Sequence, residues 1–253
     1  MRKSTERMAA MQLDILAFGP HPDDVEISIG GTLIKHARMG YKIGIVDLTA
    51  GEAGTNGTPE VRRRESLAAA EIMGAAVRDC LGLPDARLEA TEAMLVPVIE
   101  VIRRYRPRIV LGPLSRDGHP DHQRAEQLVL AAAYKAGLRK YPAGGESYRP
   151  PIVLQYLLGS YRRPDLVVDI TPYYEEKMRA IAAHKSQFEA RGNLETYVND
   201  PAFLYSIRAR DIFCGSLIQV AYGEGIYTEM QLSIDDLMSL QERKRISEER
   251  RQE

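Results

Sequence analysis

At 253 residues, with 44% hydrophobic and 27% charged content, the chain is composed as a globular protein long enough to bury the core of one large domain. Its 34 Lys and Arg stand against 35 Asp and Glu, a balance that gives no ground for nonspecific nucleic-acid binding or for attraction to an acidic membrane. Cys80 and Cys214 are too few for a disulfide scaffold and read as reduced thiols of a cytoplasmic protein, and no apolar run reaches the ~20 residues needed to cross a bilayer.

Residues 1–10 carry Arg2, Lys3, Glu6 and Arg7 ahead of an apolar stretch that Asp14 breaks. They fail as a signal peptide and read as an N-terminal extension, with Met11 as an alternative start. Leu13 to Phe18 has the short Ile/Leu-rich form of a buried parallel strand. After it come Gly19-Pro20 and the charged turn His21-Pro22-Asp23-Asp24. A helix is expected over Gly30 to Met39, stopped by Gly40, then a strand over Lys42 to Leu48 and a Gly/Thr/Asn-rich loop over Ala50 to Thr58. Pro59 opens a helix that Gly74 ends at Met73. Val77 to Leu83 reads as a third strand, Ala93 to Tyr105 as a helix that contains Pro97, and Arg108 to Leu111 as the next strand. Pro120 to Ala136 reads as a helix.

The second half is less regular. Tyr141 to Pro151 reads as a surface loop, Ile152 to Leu158 and Leu166 to Ile170 as strands, and Pro172 to Phe188 as one helix. A loop over Arg191 to Asn199 precedes a helix over Pro201 to Phe213 and a strand over Leu217 to Tyr222. Residues 11–230 thus form one domain, and 231–253 a charged tail whose helix starts at Ser233 and docks through Ile234, Leu237 and Leu240. The expected class is α/β: a Rossmann-like, mostly parallel sheet flanked by helices.

Ligands bind such sheets outside the carboxyl ends of the strands. On that edge the first loop offers His21, Asp23 and Asp24, the second Glu52 and Asn56, and a later one Arg116, Asp117 and the cluster His119-Pro120-Asp121-His122. Two histidines and a carboxylate suit a catalytic metal with open positions, which makes a nucleophile of water near neutral pH. His21, Asp24 and His122 can supply that set, although spacing does not choose between His119 and His122. Asp23 can then serve as base, and His119 can face the oxyanion with Asp121 orienting its ring. Within Arg62-Arg63-Arg64, one arginine can pair with a substrate carboxylate. His36 and His184 read as structural, and Gly30-Gly31 does not complete a dinucleotide fingerprint.

With these residues in hand, the chain resembles the zinc-dependent de-N-acetylases related to the glycosylphosphatidylinositol-pathway enzyme, a family marked by the HPDD and HPDH segments present here at 21–24 and 119–122. Softer similarities, among them Ala70-Glu71-Ile72-Met73-Gly74 and Ser186-Gln187-Phe188, are closest to its branch that deacetylates N-acetylglucosaminyl-malate in bacillithiol synthesis. The resemblance covers most of residues 11–228. It implies one zinc on His21, Asp24 and His122, with iron(II) or another divalent metal as alternatives. Asp23 would be the general base, His119 the transition-state stabiliser backed by Asp121, and Arg62 a substrate contact. Glu52, Asn56 and Arg116 complete the expected substrate-binding set. The implied partner is a small N-acetylated sugar, and the implied assembly a homo-oligomer, often a hexamer. Pro20, Ile226 and the tail after Met230 depart from the family pattern. The rival readings are the same hydrolysis on another amide, such as a chitooligosaccharide or thiol conjugate, an iron(II) oxygenase, and a metal- or sugar-binding module without turnover.

Overall fold

A computed structural model describes residues 11–159, 162–189 and 192–237. Five strands run parallel at its centre: β1 (Ile15–Gly19), β2 (Ile43–Thr49), β3 (Val77–Leu83), β4 (Ile109–Arg116) and β5 (Ile152–Gly159). Two later strands, β6 (Leu166–Asp169) and β7 (Gly223–Tyr227), add an antiparallel edge, giving the order β3-β2-β1-β4-β5-β7-β6. Among the described residues seven α-helices flank the sheet: α1 (Asp24–Arg38), α2 (Pro59–Met73), α3 (Glu92–Tyr105), α4 (Pro120–Ala136), α5 (Tyr174–Ala182), α6 (Lys185–Phe188) and α7 (Pro201–Leu217).

The apolar runs explain the layers. All five residues of β1 and all seven of β2 are buried, as strands covered on both faces must be. One face packs Leu16, Phe18 and Val110 against Ile99, Ile102, Leu128 and Val129 of α3 and α4. The other packs Ala17, Ile45 and Leu111 against Ile29, Leu33, Met73 and Ala180 of α1, α2 and α5. The order reverses between β1 and β4, so the crevice at their carboxyl ends is the switch point at which such sheets bind ligands.

Several expected boundaries differ. Helix α1 begins at Asp24 rather than Gly30, which places the charged turn directly on a helix start with Asp24 and Glu26 in the first turn. The helix is broken at Ile29 (φ −138°, ψ 19°). Past the break, the amides of Gly31 and Thr32 donate to the Glu224 carboxylate of β7, at 2.9 and 2.6 Å. Strand β4 runs on to Arg116 instead of stopping at Leu111. Pro113 is tolerated there because β1 pairs only with Ile109 to Leu111, so beyond them the strand has a neighbour on one side alone.

The helix expected over Pro172 to Phe188 is instead α5 and α6, divided at His184, which is fully buried. Helix α7 continues to Leu217, and the strand expected over Leu217 to Tyr222 forms at Gly223–Tyr227. Its glycines hide it from a propensity reading, yet a Cβ on Gly223 would lie 2.7 Å from Val167, so close strand packing demands them. Residues 231–236 carry no helix, and Ile234 and Leu237 are exposed rather than docked. The remainder of the expected tail, Leu240 included, and residues 1–10 lie outside the described residues. No described helix is long and apolar enough to cross a membrane.

Candidate active site

The loop after β1 and the start of α1 bring His21, Asp23 and Asp24 to the switch point, all buried. The turn closes on itself: Asp24 Oδ2 accepts from the His21 amide at 2.9 Å and lies 3.1 Å from His21 Nδ1. From the other side of the crevice, His122 Nε2 stands 3.5 Å from the same oxygen. The other nitrogen of His122, Nδ1, is held by Asp117 Oδ2 at 2.7 Å. That carboxylate also accepts the His119 amide at 3.0 Å, so Asp117 fixes both the ring and the loop that carries it.

His119 caps α4. Its Nδ1 accepts the Asp121 amide at 3.2 Å, with Pro120 at the first helical position. The His119 and His122 rings stack at 4.4 Å, and His21 meets His119 edge-on at 4.9 Å. The Asp121 carboxylate does not sit behind His119 as the sequence suggested. It accepts from the amides of Ala86 and Leu88, at 2.7 and 3.1 Å, and faces His21 Nε2 at 3.4 Å. Asp85, absent from the expected set, stands 3.1 Å from the same nitrogen. It follows β3 on the same sheet edge, so the strand-end rule that singled out the other loops applies to it equally.

Asp23 sits at φ 119°, ψ −28°, a backbone conformation that costs a non-glycine residue about 1–3 kcal/mol. Arg62 of α2 clamps it, donating through Nη2 to Pro22 O at 2.6 Å and to Asp23 Oδ2 at 3.2 Å. The guanidinium is buried beneath Gly51, where an added Cβ would fall 2.2 Å from Nη1, so Arg62 holds the turn in this structure. The other expected substrate contacts are placed differently. Asn56 spends its side-chain amide on the backbone of Leu194. Glu52 accepts the Asp85 amide at 2.8 Å, and Arg116 is exposed beside Glu126; neither lines the cleft.

Burial pushes the Asp23 carboxyl up to about 6, against the pull of Arg62. Asp24 is also buried, but His122 and His21 overcome this and hold its carboxyl well below the usual range. Burial would lower the His21 imidazole, yet hydrogen bonds to Asp121, Asp24 and Asp85 hold it well above its ordinary value. His119 is lowered, by burial first and then by His122 and His21. Beneath the turn runs a buried ionic chain: His184 Nε2 to Glu26 Oε1 at 3.0 Å, Arg78 to that oxygen at 2.6 Å, and Arg78 to both oxygens of Asp47 at 2.8 Å.

Among the described residues, two groupings place metal-ligating atoms within 4.8 Å of one another: His21, His119 and His122, and His21, Asp85 and Asp121. Neither is the expected trio, although both histidines of that trio reach Asp24 Oδ2. The donor chemistry fits a divalent cation of zinc type, namely imidazole nitrogens and carboxylates with the outer nitrogen of His122 tied to Asp117. The site opens into a cleft of about 700 Å³ whose lining also includes Ile27, Leu158, Tyr197, Phe203 and Arg210.

A parallel sheet that gathers His and Asp side chains able to hold a metal, with a further buried carboxylate at its switch point, has the donor set of a metal-dependent hydrolase. The chain belongs to the PIG-L family of GlcNAc-PI de-N-acetylases, whose family model matches residues 16–133. It is 35% identical over 189 residues to the diacetylchitobiose deacetylase of Thermococcus kodakarensis, covering 69% of this chain and 70% of that protein. It is 28% identical over 244 residues to the 4-oxalmesaconate hydratase of Pseudomonas putida, covering 88% and 92%. Among solved structures, the conserved protein TT1542 of Thermus thermophilus superposes with a TM-score of 0.81 at 35% identity, covering 88% of this chain and 97% of that one. In class the chain is therefore a metal-dependent N-deacetylase, a hydrolase of amide bonds.

Proposed function

We propose that the protein removes the acetyl group from the N-acetylglucosamine unit of a small conjugate, using one zinc ion per chain. The observation that carries this reading is the convergence of His21 and His122 on Asp24 Oδ2, with the buried, clamped carboxylate of Asp23 one residue away. His21, Asp24 and His122 would hold the metal. Bound there, it supplies a Lewis acid for the acetamide carbonyl and acidifies a water.

The chain's own residues do the rest. Asp23 accepts the proton of the attacking water and returns it to the departing amine, a task suited to a carboxyl raised to about 6. His119 accepts at Nδ1 from the Asp121 amide, so its neutral ring carries the proton on Nε2. With its pKa lowered, it is a neutral donor for the developing oxyanion rather than a proton source. Asp121 keeps the Ala86–Leu88 segment against the site.

The residue resemblance points to the malate glycoside as substrate. The lining of the cleft favours a neutral conjugate, because the protein already engages both of its arginines: Arg62 donates through Nη2 to Pro22 O and Asp23, its buried Nε having no partner among the described residues, and Arg210 donates to Ile27 O and lies 3.6 Å from Asp211. The same commitment counts against a hydratase acting on a polycarboxylate, as the Pseudomonas relative's name describes. A cytoplasmic homo-oligomer, a hexamer by the resemblance, belongs to this reading and is checked by light scattering.

The test is free-amine release from N-acetylglucosamine, N,N′-diacetylchitobiose and N-acetylglucosaminyl-malate, each with zinc-loaded, chelator-treated and zinc-restored protein. Zinc-dependent release is expected. Stoichiometric metal without turnover of any of the three would overturn the proposal.

A further inference from the structure

The cleft does not end at the histidines. At about 700 Å³ it lies in the upper part of the range that holds drug-sized ligands, more room than one acetamido sugar needs. Among the described residues its lining carries two aromatic rings besides the histidines, Tyr197 and Phe203. Tyr197 lines the cleft with a ring that is 76% exposed, and so open to a ligand. The ring is nonetheless set in place: it meets Phe203 edge-on at 5.1 Å and 65°, and Phe203 stacks on Phe188 at 6.3 Å.

The loop bearing Tyr197 is equally well fixed. Asn56 Nδ2 donates to Leu194 O at 2.8 Å while its Oδ1 accepts the Leu194 amide at 2.9 Å. Asn199 Oδ1 accepts the Thr196 amide at 2.8 Å, and its Nδ2 donates to Leu194 O at 2.8 Å. A ligand that covered the ring would therefore order little that is not ordered already, which is what makes a prepared surface bind.

Resting on the deacetylase reading, we propose that Tyr197, backed by Phe203, forms a second subsite that takes a neutral pyranose ring, the unit joined to the N-acetylglucosamine being deacetylated. The chemistry of the wall selects that class. A pyranose presents C–H faces that pack on an aromatic plane, while its hydroxyls stay in water at the open rim. Ile27, Leu158 and Ile207 continue the apolar side of the cleft. An anionic aglycone would have to compete with Pro22 O, Asp23 and Ile27 O for the two arginines of the described lining, Arg62 and Arg210.

The experiment uses the zinc-loaded full chain and its Tyr197→Ala and Tyr197→Phe variants, with N-acetylglucosamine and N,N′-diacetylchitobiose as substrates. Tyr197→Ala is expected to lower the disaccharide-to-monosaccharide ratio of kcat/KM about tenfold, mainly through KM for the disaccharide. Tyr197→Phe, which keeps the ring, is expected to restore the ratio. Calorimetric binding of the disaccharide to the Asp23→Asn protein, with and without Tyr197→Ala, reads the subsite independently of turnover. A ratio and an affinity unmoved by Tyr197→Ala, or a wild-type preference for N-acetylglucosaminyl-malate over the disaccharide, would overturn the subsite. Absence of turnover alongside a Tyr197-dependent affinity would instead sink the deacetylase reading and leave the subsite standing.

Discussion

Replacing Asp117 with alanine strips His122 of the acceptor that fixes its ring. The Nδ1 to Oδ2 contact is 2.7 Å, short enough to be charge-assisted, and it turns Nε2 toward Asp24. Losing an outer partner of a ligating imidazole typically weakens metal affinity 10–100-fold, about 1.4–2.7 kcal/mol. Asp117 also accepts the His119 amide at 3.0 Å and the Ser115 hydroxyl at 3.3 Å, so the larger end of that range is expected. Asp117→Asn keeps an acceptor but loses the charge, and should fall between the alanine variant and the wild type. The assay is competition for zinc between the protein and a chelator of known affinity, with circular dichroism of the metal-free variants to confirm that they remain folded. A folded Asp117→Ala protein that binds zinc as the wild type does would show that His122 does not ligate in this orientation.

Asp23→Asn should retain stoichiometric zinc by elemental analysis and lose about 10²-fold or more in kcat, the usual share of a general base; full activity would remove Asp23 from that role. Glu224→Ala removes one of the two carboxylates that face the fully buried Lys177, which keeps Asp211 at 2.5 Å, and leaves the Gly31 and Thr32 amides without their acceptor. With two buried amides left unsatisfied at about 1–3 kcal/mol each, it should cost about 2–5 kcal/mol in urea unfolding, a large part of a typical domain's 5–15, and a loss below about 1 kcal/mol would refute the assigned network. Glu26 is buried, which alone would raise its pKa, yet Arg78 and His184 hold it at about 2 against an ordinary 4.5. A depressed carboxyl contributes stability above the unfolded value and loses it as pH falls, here from about 4.5 toward 2. Glu26→Gln should flatten that acid limb in unfolding measured against pH, and an unchanged limb would contradict the assignment.

The convergence of the loops on one sheet edge was legible because strand ends and Pro/Gly punctuation are local signals, and because parallel order follows from the alternation of strand and helix. Direction within a loop is not local. Glu52 shares a loop with the site and Arg116 ends the strand that leads into it, yet they turn to Asp85 and Glu126, and Asn56 is taken by Leu194, 138 residues away in sequence. Asp85 and Asp117 acquire meaning only through His21 and His122, which fold beside them. His184 read as structural, but its partner Glu26 lies 158 residues earlier, and no periodicity links them. The late β7 was misplaced because packing, rather than propensity, requires its glycines.

The backbone of Asp23 sets this chain's two demands against each other. At φ 119° a glycine would sit without strain, so Asp23→Gly removes a steric cost along with the carboxylate proposed to be the base. The same exchange leaves the buried Arg62 guanidinium without its carboxylate, so the strain at Asp23 and the clamp that holds it cannot be shed separately.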